Sequence, residues 1–417
     1  MDISSSIPRI RPTVTFKEIF SIMFNLFKGK NIGFQEAAIS RFEEAFAARF
    51  NLPRGVCFSK ARVAFYFLLK SMDLKQGGEV IISAIHVADF VNMIRLAGFK
   101  PVVVDLSPNA YTIDCNDLER KINSNSALIL ITHLCGYATD MDKITEISKR
   151  HNVPFIEDCS QALSSQYNGQ PLGVFGQAAI FSLSLLKPVC TLSGGMILSK
   201  DAVLMNKLRQ ENLRLQQTKK LPLISEAIKN IIIKTAVSPI LFQYIVFPLM
   251  RIAMPFGDYF SRYQKTNKTV ILRESMPKDF LVKFTWQQAI MGSSQLTTLE
   301  KREKERTEQG IYLYGKLKSH SNVLLPPVTE RGLNSFWLFP LLVKDADKLK
   351  RFLAGHGIDS SKFLLSLLCV EKAFSQHKFE CKSAGYIKDH TLFIPIYCSI
   401  SRNQLDYIAG MIKKYND

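Results

Sequence analysis

The segment that decides the fold spans residues 155–195 and reads FIEDCSQALSSQYNGQPLGVFGQAAIFSLSLLKPVCTLSGG. An apolar strand ends there at Glu157-Asp158, a glycine-rich turn follows over 168–176, and a second apolar strand ends at Ser182. Lys187 comes five residues after that second strand. Because ligands of α/β sheets bind beyond the carboxyl ends of the strands, the polar residues that close each strand are the first candidates for chemistry.

Lys187 and Asp158 are the two residues of this segment with the most specific chemistry. Lys187 has apolar neighbours, and desolvation would disfavour its ammonium form and leave a nucleophilic amine suited to a Schiff base. An acid at the end of the neighbouring strand, where Asp158 stands, can keep a pyridinium nitrogen protonated. The residues alone leave plainer alternatives open, since a strand-end Asp often caps a helix and a lone Lys is often solvated.

The rest of the chain alternates short apolar runs with amphipathic helical segments, beginning at Phe34. The predicted strands are Glu79–Ile82, Pro101–Asp105, Ala127–Thr132, Pro154–Glu157, Ala178–Ser182 and Met196–Leu198. Runs as uniformly apolar as these are typical of strands covered on both faces. We therefore expect an α/β fold, with a mostly parallel central sheet in a large domain at 31–212. A smaller C-terminal α/β domain is expected at 276–417, with strands near Ser335–Val343 and Thr391–Pro395.

Two further segments are predicted outside this α/β pattern. Residues 1–30 contain an amphipathic helix, whose apolar positions are Phe16, Ile19, Phe20, Met23, Phe24 and Phe27. Residues 213–275 form a basic and apolar insert, in which Thr235–Met250 carries no formal charge. That stretch is too short and too interrupted by proline for a bilayer span, so we expect a helical hairpin or an interfacial element. Both segments fit either packing on protein or contact with an anionic membrane surface through 16–27 and 235–250.

The composition is that of a globular protein. The chain has 417 residues, 47% of them hydrophobic, and a formal net charge of +18, which points to anionic partners of some kind. Its eight cysteines are scattered without a CxxC pair, so we expect reduced thiols, no metal site and a cytoplasmic location, and the N-terminus lacks the pattern of a signal peptide. The charge run at 301–306 alternates in sign, which favours a solvated helix face and no nucleic-acid partner.

Several motifs in a fixed order resemble one known family. They are the 155–195 segment, GGEVIISAIHVADFVNMIRLAGFKPVVVD at 77–105, THLCGYATDMD at 132–142, and HGIDSS at 356–361. Together they resemble the sugar aminotransferases of the DegT/DnrJ/EryC1/StrS family, from Gly33 to about Lys414 outside the insert. The resemblance implies a pyridoxal 5'-phosphate (PLP) enzyme of fold type I, which is aspartate-aminotransferase-like, and a homodimer with active sites between subunits.

The resemblance also implies roles for residues of the 155–195 segment. Lys187 would form the Schiff base with PLP, and Asp158 would pair with the pyridine nitrogen. Gln161 would lie beside the ring near its hydroxyl, and Ser182 would bind the cofactor phosphate.

A second group of implied cofactor contacts lies earlier in the chain. The turn Lys60-Ala61-Arg62-Val63 stands where the family has a phosphate-binding turn, whose backbone N–H groups at a helix N-terminus hold the phosphate. Arg62 would add a charge-assisted contact. His86 falls near the position of an aromatic residue that stacks on the PLP ring, although an offset of one residue would place Val87 there instead.

Three positions depart from the family pattern. Ser193 replaces the usual Glu before the terminal Gly-Gly, Ser184 replaces the usual His, and Leu281-Val282-Lys283 replaces an Asn-x-Arg element. These changes affect a phosphate contact from the partner subunit and part of the sugar pocket.

The function implied is transfer of an amino group, from glutamate, to a keto-sugar on a nucleotide or lipid carrier in cell-surface polysaccharide or amino-sugar biosynthesis. Lys187 would act as the general acid and base. Some relatives replace this lysine with histidine and become dehydratases, so its presence favours transamination. The alternatives are a sugar dehydratase and a catalytically silent, membrane-associated scaffold of the same fold. If the membrane contact holds, the protein would be peripheral on the cytoplasmic face.

Overall fold

A seven-stranded sheet lies at the centre of the computed structural model, which describes residues 6–254, 271–363, 365–374 and 379–415. In chain order the strands of the molecule are β1 Val56–Phe58, β2 Glu79–Ser83, β3 Ile85–His86, β4 Lys100–Val104, β5 Ser126–Thr132, β6 Phe155–Asp158, β7 Gln166–Tyr167, β8 Gln170–Pro171, β9 Ala179–Ser182, β10 Gly195–Leu198, β11 Gly332–Leu333, β12 Phe339–Leu342, β13 Ser366–Leu367 and β14 Thr391–Ile394. The central sheet has the order β1-β10-β9-β6-β5-β2-β4. All six strands predicted for the large domain are confirmed to within one residue at each end.

The sheet is mostly parallel, as predicted. Strands β4, β2, β5, β6 and β9 run in the same direction, while β10 and β1 are antiparallel to their neighbours. Because β6 lies between β5 and β9, the carboxyl ends of these strands bring Thr132, Asp158 and Ser182 to one edge. This edge is where the sequence places the candidate chemistry.

Helices pack on the central sheet and on the C-terminal part. They are α1 Phe16–Asn25, α2 Ile32–Ala47, α3 Ala61–Ser71, α4 Asp89–Leu96, α5 Cys115–Lys121, α6 Met141–His151, α7 Ala202–Leu213, α8 Lys220–Ala236, α9 Pro239–Ala253, α10 Trp286–Leu317, α11 Ala346–Gly355, α12 Lys382–His390 and α13 Arg402–Lys414. Consecutive residues of β2 enter different hydrophobic clusters, Ile81 in one and Ile82 in the other. Alternate side chains of a strand point to opposite faces, so the sheet is buried on both sides, as its apolar runs predict.

The C-terminal part contains the two strands predicted there, both shorter than expected. Strand β12 pairs with β14 in an antiparallel ladder from Phe339↔Ile394 to Leu342↔Thr391. The long helix α10 packs against α2 and α13, and so links this part to the large domain. The division of the chain into domains at 31–212 and 276–417 stays a prediction.

Helices α8 and α9 occupy the predicted insert and are bent by 66° relative to each other. Across the part of the chain that the structure describes, no single helix is long and apolar enough to cross a membrane, although this bent pair passes such a test jointly. The two ends of the insert are joined, because Gln216 N–H donates to the Leu281 carbonyl and Lys283 N–H donates to the Gln216 carbonyl. Residues 255–270 of the predicted insert lie outside the described residues.

Two sequence-based predictions are wrong in part. Cys369 and Cys381 form a disulfide with a Cα–Cα distance of 6.3 Å, whereas the other six cysteines are free as expected. The sequence separation of 12 hides this pair, because only the packing of α12 against β13 brings the two cysteines together.

The charge run at 301–306 is not wholly solvated either. Glu303 and Arg306 are buried and form an ion pair, and Arg306 Nε donates to the Ser335 carbonyl at 2.9 Å. The neighbouring Lys301 and Lys304 are exposed as predicted. The alternating charges therefore predict the helix correctly, but they do not show that Glu303 and Arg306 face the loop at Ser335.

Candidate active site

Lys187 lies in a closed loop between β9 and β10. Leu183 N–H donates to the Gly194 carbonyl and Thr191 N–H donates to the Leu183 carbonyl, so the chain returns to its starting point. The buried side chain of Gln288 on α10 donates to the carbonyls of Thr191 and Ser193, at 3.0 and 2.7 Å. These contacts fix the backbone of the loop and with it the position of Lys187.

A second glutamine of α10 holds the same loop. The Gln295 amide accepts from Cys190 N–H at 2.9 Å and donates to the Cys190 carbonyl at 2.6 Å. Both glutamines are buried, and they satisfy backbone groups that lie outside regular secondary structure. Helix α10 is therefore the support of the lysine loop.

The amine of Lys187 faces an aromatic ring. Its Nζ atom lies 3.6 Å from the centroid of Trp337, whose Nε1–H donates to the Leu186 carbonyl at 3.0 Å. Burial lowers the pKa of Lys187 to about 7, against the opposing charge of Asp158, and the charge of Arg306 lowers it further. A large fraction of this amine is therefore neutral and nucleophilic near pH 7.

Asp158 is a buried carboxylate with two polar neighbours. Its Oδ1 accepts Ser160 N–H at 2.9 Å, and its Oδ2 lies 3.1 Å from His86 Nε2. Burial alone would raise the pKa of Asp158, but His86 and Ser160 outweigh it and the pKa is lowered. The side chain is thus an anion at neutral pH, as pairing with a protonated pyridine nitrogen requires.

The adjacent Glu157 has a structural task. Its carboxylate accepts the N–H groups of Gly173, Phe175 and Gly176 at 2.7 to 2.9 Å, and it also faces His133 Nε2 at 3.2 Å. Glu157 therefore holds the glycine-rich turn against β6.

His133 completes this buried cluster. Because Thr139 N–H donates to His133 Nδ1, the proton of the neutral ring is on Nε2 and points at Glu157. Candidate metal-binding atoms of His133, Glu157 and Cys159 lie within 4.8 Å of one another. Since both Glu157 oxygens already accept hydrogen bonds, the cluster fits a structural network better than a metal site.

The predicted phosphate turn lies beside Ser182. Gly195 pairs with Ser182 across β9 and β10, and a Cβ atom on Gly195 would be only 2.4 Å from Ala61 Cα. Glycine is therefore required for the N-terminus of α3 to approach the sheet. The Ser182 hydroxyl lies 3.0 Å from the Ser184 hydroxyl. Hydroxyls next to a helix N-terminus form a cradle suited to a phosphate group.

Two side chains of this turn have partners that the sequence did not predict. Arg62 forms an ion pair with the buried Asp89, which also accepts from Arg273 Nε at 2.8 Å. Burial favours a raised pKa for Asp89, but Arg273 and Arg62 outweigh it and the pKa is lowered. The Lys60 amine lies 4.6 Å from the Phe280 ring centroid, and burial lowers its pKa. The phosphate contacts of the turn from Lys60 to Val63 stay predictions.

His86 and Gln161 lie on either side of Asp158 in the chain, and the structure gives each a defined neighbour. His86 is on β3, opposite Ser366 of β13, and its ring packs against Phe90. Gln161 Oε1 accepts Cys135 N–H at 2.7 Å. The stacking of His86, or of Val87, on a cofactor ring and the contact of Gln161 with its hydroxyl stay predictions.

Sequence reasoning missed Trp337 as a site residue. It reaches Lys187 because Leu338 N–H donates to the Cys135 carbonyl and Ser335 N–H donates to the Gly136 carbonyl. Gly136 has a φ of 88°, and a Cβ there would lie 2.9 Å from Trp337 N, so only glycine allows this approach. The available signals were the glycine of the 132–142 motif and the rarity of Trp in the chain, but neither indicates a contact.

The positions that depart from the family pattern have ordinary structural contacts. The Ser193 carbonyl and hydroxyl both face the Gln288 amide, and Ser184 contacts Ser182. Leu281 and Lys283 pair with Gln216 at the base of the insert. Ser193 therefore helps to hold the lysine loop and residues 281–283 help to close the insert, whereas the Ser184 side chain contacts Ser182 at the end of β9.

The model of the DegT/DnrJ/EryC1/StrS aminotransferase family matches residues 26–221 and 263–413. The chain belongs to this family. Its fold, the predicted fold type I of PLP-dependent transferases, is confirmed by solved structures that cover almost the whole chain. One of these, the PLP form of Spr1654 from Streptococcus pneumoniae, has a TM-score of 0.73 at 19% identity and covers 98% of each chain. A PMP form of the same protein has also been solved, and the family is PLP-dependent.

Two curated relatives at 30% identity or more match part of the chain. GDP-perosamine synthase of Escherichia coli O157:H7 is 32% identical over 40% of this chain and 46% of its own length. A UDP-4-amino-4-deoxy-L-arabinose–oxoglutarate aminotransferase of Shewanella sediminis is 30% identical over 49% of this chain and 52% of its own length. The matches thus span about half the length of these relatives.

Proposed function

We propose that this protein is a PLP-dependent aminotransferase that moves an amino group from glutamate to a keto-sugar. The proposal rests on two groups at the same edge of the parallel sheet, namely the Lys187 amine with a pKa of about 7 and the buried, ionised Asp158 carboxylate. An amine that is neutral near pH 7 can attack a carbonyl, and a carboxylate can hold a pyridine nitrogen protonated.

The residues at this edge fit PLP. Lys187 would hold it covalently, Asp158 would pair with its ring nitrogen, and Ser182 with the turn at Ala61 would hold its phosphate. Bound PLP supplies an electron sink for negative charge on the substrate carbon next to nitrogen. The close approach of Gly195 to Ala61 supports this assignment, because it builds the cradle from backbone.

Lys187 has a second task once its amine is free. As a neutral amine, Lys187 would take the proton from the donor's α-carbon and, as ammonium, give it to the cofactor carbon that carries the nitrogen. With the acceptor bound, it would move a proton in the reverse direction, from that carbon to the sugar carbon. A pKa of about 7 suits both directions, because neither form is strongly favoured near neutral pH. The Trp337 ring covers Nζ on one side and limits the directions from which a substrate can reach it.

The two substrates are proposed on the names of relatives. The Shewanella relative is named for oxoglutarate, the keto product of glutamate, which supports glutamate as the donor. Both relatives are named for nucleotide-linked amino sugars, which supports a keto-sugar on a nucleotide carrier. The alternative is a keto-sugar attached to a lipid carrier. The product would serve cell-surface polysaccharide or amino-sugar biosynthesis.

We also propose a homodimer, on the resemblance of the chain to its family, and a cytoplasmic location, which the six free cysteines support. Sedimentation equilibrium at micromolar concentration would test the dimer, and a mass of one chain would contradict it. Cell fractionation would test the location, and recovery outside both the cytoplasmic and the membrane fractions would contradict it.

Borohydride reduction followed by peptide mapping tests the assignment directly. We expect the reduced cofactor on the peptide that contains Lys187, and none on Lys187→Ala. Glutamate should convert the bound cofactor to its amine form, with loss of the long-wavelength absorbance band. Cofactor on Lys187 without this conversion would contradict transamination from glutamate and favour one of the two alternatives. Absence of any bound cofactor would favour a silent scaffold.

A further inference from the structure

Two helical segments that lie outside the family-matched ranges pack on each other. Helix α1 precedes residue 26, and most of α8 and all of α9 lie between the matched ranges 26–221 and 263–413. Ile19 and Ile22 of α1 share a hydrophobic cluster with Ala227 of α8. Lys234 lies over the Phe16 ring and Lys220 over the Phe27 ring, so α1 and α8 run antiparallel. These helices form a layer that lies largely outside the ranges that the family model matches.

This layer exposes large apolar side chains. Phe20 and Phe24 of α1 are 56% and 65% exposed, on the face opposite to the buried Ile19 and Ile22, and Phe27, just after the helix, is 72% exposed. On α8 and α9 the exposed apolar side chains are Leu221, Ile228, Ile232, Ile240, Tyr244, Ile245, Leu249 and Ile252. Exposed apolar groups at this density mark an interaction surface rather than ordinary solvent-facing helices.

The surroundings of these apolar rows are basic. Residues 6–35 and 212–254 contain only Glu18 and Glu226 as acids, whereas their cations are Arg9, which is buried, and Arg11, Lys17, Lys28, Lys30, Arg214, Lys219, Lys220, Lys229, Lys234 and Arg251. Both acids are already engaged, Glu18 with Thr15 N–H and Glu226 with Lys229. Lys28 lies 4.2 Å from the Phe24 ring centroid, so charge and apolar surface alternate. The surface therefore complements an anionic partner that also accepts apolar groups.

Helices α8 and α9 each expose only one face to solvent. The other face of α8 is buried through Leu223 and Ala227, and that of α9 is buried through Phe242 and Phe247, which pack with Ala354. Helix α8 has 17 residues and is about 26 Å long at 1.5 Å per residue. Helices bound to protein on one side and bent by 66° suit the plane of a bilayer surface better than a path through it.

We propose that the exposed faces of α1, α8 and α9 are a docking surface for an anionic lipid bilayer. The phenylalanine and isoleucine side chains would enter the boundary between headgroups and acyl chains, and the lysines would contact lipid phosphates. The docking surface lies next to the catalytic loop, because Cys190 and Leu192 belong to the same cluster as Ile19 and Ala227. Bilayer binding would thus place the Lys187 loop close to the membrane.

Flotation of the full-length protein with vesicles tests the docking surface. With vesicles of phosphatidylcholine and about one third phosphatidylglycerol at low salt, we expect most of the protein in the floating fraction. Salt at about 0.5 M, or pure phosphatidylcholine, should lower the bound fraction about tenfold, since headgroup attraction is screened or absent. Protein that stays at the bottom with anionic vesicles at low salt would overturn the proposal.

Paired variants locate the contact. Phe24→Ser with Phe27→Ser, and Ile232→Ser with Ile240→Ser, should each lower vesicle binding about tenfold. The matched control is Val203→Ser with Ile311→Ser, since these side chains are similarly exposed outside the surface, and it should bind as the wild type does. Thermal melting and cofactor absorbance show that each variant is folded.

A second copy of the chain is the competing occupant. If the Phe24 and Phe27 variants change the mass in solution without vesicles, and vesicle binding is absent, the surface is an interface between copies and the proposal fails. If the mass is unchanged and only vesicle binding is lost, the bilayer assignment holds. This test uses no activity measurement, so it is independent of the proposed aminotransferase reaction.

Discussion

The amine of Lys187 lies over the ring of Trp337, 3.6 Å from its centroid, and the same indole donates a hydrogen bond to the carbonyl of Leu186. One side chain thus contacts both the nucleophile and the backbone that carries it. A cation over an aromatic face is stabilised, and burial opposes this by favouring the neutral amine. Burial lowers the pKa of Lys187 to about 7 against the opposing charge of Asp158, and the Trp337 ring that lies over the amine is expected to position it.

Replacing Trp337 should therefore affect the reaction more than the fold. We expect Trp337→Ala to slow the conversion of bound cofactor by glutamate about 30-fold, through loss of positioning worth about 2 kcal/mol. Trp337→Phe keeps an aromatic face and should retain most of the rate, although it cannot donate to Leu186. Stopped-flow absorbance measures both variants. Equal rates for Trp337→Ala and the wild type would show that the ring does not contribute to the reaction.

The lowered pKa of Lys187 predicts how the stability of the cofactor-free protein depends on pH. The folded pKa is about 7, whereas a free lysine titrates near 10.4. Between these values the unfolded chain holds a proton that the folded chain has released, so stability rises with pH across this window. Lys187→Met removes the desolvated amine and should raise the Tm of the cofactor-free protein at about pH 6, by an amount that shrinks towards about pH 10.

Differential scanning calorimetry of cofactor-free wild type and Lys187→Met from about pH 6 to about pH 10 checks this dependence. Lys301→Met, at an exposed position of α10, is the matched control and should shift Tm little at any pH. A Tm difference that grows with pH would contradict a lowered pKa for Lys187.

The elements that could be predicted from sequence are those with a periodic pattern. Uniform apolar runs predicted the strands of the parallel sheet, and helical spacing of apolar residues predicted α1. Both patterns can be read from the sequence because each residue is apolar or polar according to whether its own side chain is buried. Strand β1 was missed because Val56–Phe58 is too short to show a pattern. The exposure of the phenylalanines of α1 was not predictable, since spacing shows that a helix is amphipathic but not what covers it.

Site residues were predictable only where they directly follow a strand that the sequence itself predicts. Asp158 and Lys187 follow strands, so the sheet brings them to one edge. Trp337 reaches this edge through backbone hydrogen bonds to Cys135 and Gly136, which are about 200 residues away in sequence. The contact of His86 with Asp158 depends likewise on where β3 runs, and no local pattern reports it.

Gly195 offers a test of the phosphate cradle. In Gly195→Ala the new Cβ would lie 2.4 Å from Ala61 Cα, so the N-terminus of α3 must move away from Ser182. We expect the Kd for PLP to rise at least about tenfold, since displaced N–H groups no longer converge on one anion. Gly410→Ala on α13 is the control, because nothing lies within 4 Å of its Cβ. Equilibrium dialysis with PLP measures both, and unchanged affinity in Gly195→Ala would place the phosphate elsewhere.

Variants of the neighbouring acids Glu157 and Asp158 should differ in effect, with Glu157 important for stability and Asp158 for catalysis. Glu157 accepts hydrogen bonds from three backbone N–H groups and faces His133. In Glu157→Gln the side-chain NH2 group would face some of these donors and could not accept from them. We expect the free energy of unfolding to fall by about 3 kcal/mol. Asp158→Asn keeps most of this stability, but a neutral amide cannot hold a pyridine nitrogen protonated, and turnover should fall at least about 100-fold. Urea unfolding and steady-state kinetics on both variants measure the two effects. A severe loss of turnover in a well-folded Glu157→Gln, with Asp158→Asn active, would reverse the roles assigned to the two carboxylates.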